Sequence, residues 1–124
     1  MAAYIHDDAL DAALNYIKTN TENLYICKTA QPTTFTEASS TYAVGVKAAP
    51  TFTGPANDTS GRKVTIDAIT NGTVTGSGTA GWIALTDDSA SKLLAAYELN
   101  ATQVVTSGNV FTLTAFKIGL PDPV

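Results

Sequence analysis

His6 is the sole histidine of this 124-residue chain, and Asp7 and Asp8 follow it directly. Imidazole is the natural acid–base group near neutral pH and a common metal ligand, so this triplet is the first place to look for chemistry. A bound metal draws ligands that converge from several elements, and no second histidine is there to help. The two carboxylates also have a simpler use, capping the first turn of a helix. Cys27, the sole cysteine, lies in the apolar run 23–28, where a nucleophile would again depend on His6 as base. A buried small hydrophobe is the expectation for it. Any serine triad meets the same shortage of bases.

Two further stretches carry the letters of a site without its context. Gly76-Ser77-Gly78-Thr79-Ala80-Gly81 matches a dinucleotide fingerprint, which needs a helix next to hold the pyrophosphate. Trp82 to Thr86 follows instead and reads as strand, so the glycines are assigned to a strand end or bulge. Asp87-Asp88 lacks the alternating acidic loop and central glycine of a calcium site and reads as a solvated turn. The expectation is therefore no catalytic residue, no cofactor, no metal and no enzyme.

The elements that would position these groups are mostly strands. The chain is organised around Gly81–Leu120, read as antiparallel strands in a meander: 82–86, 92–99, and one long strand from Val110 to Ile118 with both faces apolar at its start. Upstream, Lys63 to Ile69 alternates, and Asn71-Gly72 is a strong hairpin signal because type I′ turns need positive φ. Asn23 to Lys28 is a buried strand, Thr34 to Glu37 has capping-box spacing, and 41–46 returns to strand. One helix is expected at about 7–18, with Leu10, Ala13, Leu14 and Ile17 as its apolar stripe. A long surface loop is expected at about 47–62, where Pro50, Gly54, Pro55, Asn57 and Gly61 gather. The tail 120–124, with Pro121 and Pro123, reads as a stiff extended arm.

Composition narrows the class. Hydrophobic residues make up 44% and charged ones 15%, and the remaining polarity comes from Thr, Ser and Asn, which favours β-structure. A net charge of −4 argues against nucleic-acid binding and against an anionic membrane surface. The start MAAYIHDD has no basic region followed by an apolar one, and no run approaches membrane-spanning length, so the chain is expected to be made in a cytoplasm. The fold expected is an all-β sandwich with one N-terminal helix, as a single domain over 1–124.

On the patterns 82–87, 92–96 and 105–113, with the opening 8–17 and the ending 118–123, the chain resembles small structural proteins of tailed bacteriophages. It is similar to the decoration, or cement, proteins that bind outside a capsid lattice. That resemblance implies a virion protein on the capsid surface, made in the host cytoplasm. Its partners would be the major capsid protein and itself, as a homotrimer. Tyr4, Ile5, Phe52, Pro55, Pro121 and Pro123 are the residues expected to touch a partner. The alternatives are a tail or neck component, or a receptor- or glycan-binding module with an aromatic platform near Trp82, Tyr97 or Phe52.

Overall fold

The computed structural model describes residues 3–123. In chain order these form α1 (Asp7–Asn20), β1 (Asn23–Cys27), a π-helical turn (Glu37–Thr41), β2 (Ala43–Ala48), β3 (Phe52–Asn57), β4 (Arg62–Ile66), β5 (Ile69–Val74), β6 (Gly78–Asp87), β7 (Lys92–Val105), β8 (Val110–Leu113) and β9 (Phe116–Leu120). The strands make two antiparallel sheets, a larger one in the order β7-β6-β1-β2-β5-β8 and a smaller one in the order β3-β4-β9. This is the expected all-β sandwich with an N-terminal helix. The larger sheet curls so far that Gln103 on one of its edge strands reaches Thr112 on the other.

Alternation along the strands places the core. Leu24 and Ile26 on β1, Ile83 and Leu85 on β6, and Val64 and Ile66 on β4 all join one buried cluster. Fully burying each such side chain is worth about 1.5–3 kcal/mol. On its outer face the larger sheet carries a second, smaller cluster, in which Cys27 and Ala84 pack against Ala38 of the π-helical turn. That turn is entered as its spacing implies. Thr34 Oγ1 accepts from the Glu37 N–H at 3.1 Å, and Glu37 Oε1 accepts from the Thr33 N–H and hydroxyl, both at 2.9 Å.

Leu10 and Leu14 of α1 are buried and Ile17 is half-buried, whereas Ala13 is exposed and drops out of the expected stripe. The cap also differs. His6 precedes the helix in an extended conformation and its Nδ1 accepts from the Asp8 N–H at 3.0 Å, leaving Asp7 and Asp8 as first-turn acids. Arg62 shares a face of β4 with Val64 and Ile66, and its guanidinium grips Asp11 of α1 at 2.8 and 3.1 Å. The helix therefore lies against the core-side face of the smaller sheet.

Three segments depart from the sequence reading. The stretch 47–62 is not one long loop, because β3 occupies Phe52–Asn57. Pro55 is tolerated there because β3 is an edge strand and needs no ladder on its free side. Asn71-Gly72 is not a hairpin but lies within β5. Gly72 pairs with Phe111, and a Cβ at Gly72 would fall inside the Phe111 ring, so the glycine serves a cross-strand aromatic contact. The strand from Val110 to Ile118 is two strands, divided at Thr114-Ala115 and belonging to different sheets. Phe111 and Leu113 are buried before the bend and Ile118 after it, so the inward phase slips by one residue. That slip is why both faces look apolar in sequence. The expected meander contributes the β6–β7 hairpin, after which β8 pairs with β5 and β9 with β4.

Candidate functional site

The residues with chemical potential are dispersed and mostly engaged in the fold. Cys27 is fully buried, its thiol donates to Ala38 O at 3.5 Å, and burial pushes its pKa from 9.0 up to about 12. A thiol held protonated in this way is a poor nucleophile. His6 is spent on the helix cap. Gly78 to Gly81 opens β6, so the glycine-rich letters run into strand as expected.

Asp88 differs from its reading as a solvated turn. Its Oδ2 accepts from the Tyr25 hydroxyl at 2.9 Å, and its Oδ1 accepts from the hydroxyl of the fully buried Thr86 at 2.5 Å. Burial first, and Asp88 second, push Tyr25 from 10.0 up to about 12. Glu22 Oε1 accepts from the Ser89 N–H at 2.7 Å, which holds its own pKa below the usual carboxylate value. The acidic turn is thus a clamp between β6–β7 and β1. Among the described residues no group of three or more His, Cys, Asp or Glu side chains is placed to hold a metal ion, and no described helix is long and apolar enough to cross a membrane.

The six expected contact residues lie around α1 and the smaller sheet. Tyr4 is 80% and Ile5 42% exposed, just ahead of the helix. The Tyr4 ring stands edge-on to His6 at 6.4 Å. Phe52 is half-buried against the core and Pro55 half-buried in β3, where Lys18 Nζ donates to Gly54 O at 2.9 Å. Lys18 belongs to the last turn of α1, so Pro55 and Tyr4 sit near opposite ends of a helix about 20 Å long. Pro121 is exposed and Pro123 half-buried. Their tail does not stand free: the Asp122 N–H donates to Ser60 Oγ at 3.1 Å, and the Gly61 N–H donates to Asp122 Oδ2 at 3.2 Å. Gly61 has φ +72, and a Cβ there would meet the Leu120 carbonyl. The amino-terminal segment is therefore the more projecting of the two arms.

Sequence reasoning missed the main concavity. Between Glu98 and Gln103, β7 leaves its ladder with β6, and Leu99–Thr102 bow out opposite Gly81 alone. Between this bow and the bend joining β8 to β9 lies an open groove of about 570 Å³, lined by Ile83, Tyr97, Leu99 and Phe116 and by Asn100, Gln103, Thr112 and Thr114. The Tyr97 and Phe116 rings meet at 6.3 Å with a tilt of 58°, and burial raises the pKa of Tyr97. Lys117 also borders the groove, with its ammonium engaged by Asp58 at 2.7 and 2.8 Å. The three aromatic residues named for a glycan platform lie in different places. Trp82 packs on the outer-face cluster, Phe52 against the core, and only Tyr97 borders the groove.

No family model, curated protein or solved structure matches this chain.

Proposed function

We propose that this chain is a non-catalytic structural protein of a tailed-phage virion, a decoration module that binds the outside of the head lattice. Its partners are then the major capsid protein and further copies of itself. One observation carries the reading: the groups that could do chemistry are committed to the scaffold. His6 caps α1, Cys27 is sealed in an apolar cluster, Asp88 is held by Tyr25 and Thr86, and Arg62 ties the helix to β4. Among the large apolar side chains left exposed, Tyr4 and Ile5 stand just ahead of the helix. A body of two sheets over a shared core, with a projecting apolar segment, suits a part that must persist and adhere.

Cryo-electron microscopy of the intact particle tests this. The expected result is density for the chain over capsomer junctions, repeated with the lattice. Density confined to tail or neck would retain a virion role and remove the cement role. Particles without the chain would sink both.

A further inference from the structure

Three N–H groups in the first turn of α1 end on one residue. The His6 carbonyl accepts from the Ala9 N–H at 3.0 Å and from the Leu10 N–H at 3.3 Å. Its ring Nδ1 accepts from the Asp8 N–H at 3.0 Å, where that amide has no partner inside the helix. A nitrogen that accepts carries no hydrogen, so the ring is neutral with its hydrogen on Nε2. The usual caps, serine, threonine, asparagine and aspartate, offer an oxygen that accepts throughout the neutral range. An imidazole offers a nitrogen that stops accepting once it is protonated.

Protonation sets one N–H against another. The replacement partner is already at hand, because Asp8 Oδ2 lies 3.7 Å from the same Nδ1. A turn of the ring exchanges the backbone amide for the carboxylate and leaves the Asp8 N–H to water. Asp7 and Asp8 are the charges on the ring's own helix. From β4 comes Arg62, whose guanidinium is held by Asp11 and also feels Asp7 and Asp8. The two carboxylates favour the charged ring, while Arg62 and the positive end of the helix oppose it. The body of α1 is anchored separately, by the Arg62–Asp11 bond and by the buried Leu10 and Leu14. The exchange is therefore confined to the first turn and to the residues ahead of it.

We propose that His6 is a pH-operated latch on the amino-terminal segment. Neutral, its ring closes the first turn of α1. Protonated, it releases the Asp8 amide, turns to the Asp8 carboxylate and leaves Tyr4, whose ring stands edge-on to it at 6.4 Å. The exposed pair Tyr4 and Ile5 is thus presented differently above and below the range in which imidazole titrates. The latch is a property of the chain alone and holds whether or not a capsid lattice is the partner.

Nuclear magnetic resonance of the labelled full chain between about pH 8 and about pH 5 tests it. At the upper end the ring nitrogens should report Nε2–H and a bare, hydrogen-bonded Nδ1. As the ring protonates, protection of the Asp8 amide, taken against its intrinsic exchange rate at each pH, should fall about fivefold. Through-space contacts between the Tyr4 and His6 rings should be lost in the same step. His6→Asn keeps an accepting cap that does not titrate, so its Asp8 protection should stay constant across the range. His6→Ala lacks the acceptor and should show the low protection at every pH. A neutral ring with its hydrogen on Nδ1 overturns the proposal. So does Asp8 protection that is unchanged when the ring protonates, or that falls equally in His6→Asn. Ring contacts to Tyr4 that persist on protonation overturn it too.

Discussion

The sandwich is closed on one side by a backbone ladder and on the other by the Thr106–Asn109 connection, the Gln103–Thr112 hydrogen bond and the Tyr97–Phe116 ring pair. At the closed corner, β4 and β5 run beside β9 and β8 as one bent ribbon. The register from Arg62↔Leu120 to Ile66↔Phe116 in the smaller sheet resumes with the same offset at Ile69↔Leu113 in the larger. At the seam, β8 turns its other edge toward β7 and accepts one hydrogen bond from Gln103. One strand thus has a fully committed edge and a nearly free one. The corner is a ladder carried from sheet to sheet, whereas β7 and β8, although joined through Thr106–Asn109, form no ladder with each other.

The largest expected effect lies in the committed corner. Phe111 is 2% exposed and its ring covers Gly72. Phe111→Ala should cost about 4 kcal/mol in urea unfolding, as buried phenylalanines do. Gly72→Ala should cost about 2–3 kcal/mol, because the ring has nowhere to go. The double variant should cost clearly less than the two together, since the ring that the new methyl strikes is gone. Additive costs would mean that the two residues do not meet across the ribbon.

Between corner and seam lies the clamp on β1. Tyr25→Phe removes the donor to Asp88 and should cost about 1–2 kcal/mol. The same region governs the alkaline limb. Cys27 rises from 9.0 to about 12, and Tyr25 from 10.0 to about 12. In both cases the folded state keeps the proton longer than the unfolded one. Their stabilisation is therefore complete below pH 9, begins to fall as the unfolded thiol and then the unfolded phenol ionise, and is gone above about pH 12. A Cys27→Ala chain should lose stability less steeply between pH 9 and 10 than the wild type. Equal slopes would show that the thiol is accessible.

The contrast between the two regions also explains what the sequence could disclose. The helix, the buried strand around Cys27 and the turn at Thr34–Glu37 depend on local period and capping, and they stand where the pattern puts them. Asn71-Gly72 misleads because its local turn preference loses to the Phe111 ring, thirty-nine positions away in the chain. The region 47–62 misleads because glycine and proline mark loops in general, while an edge strand such as β3 accepts both. At Val110–Ile118 the one-residue slip at the bend is invisible until both sheets exist. Tyr4 and Ile5 were named from type and position, and both are exposed. The seam was not, since it depends on which strands end up at the edges.

The smallest expected effect belongs to the seam and bears most on its character. Gln103→Ala removes the side-chain hydrogen bond from β7 to β8, yet should cost only about 0.5 kcal/mol. The Thr112 carbonyl that it frees borders an open groove, where water can take the hydrogen bond. A loss near 2 kcal/mol would instead make Gln103 a wall of the sandwich, the counterpart of the Phe111 corner.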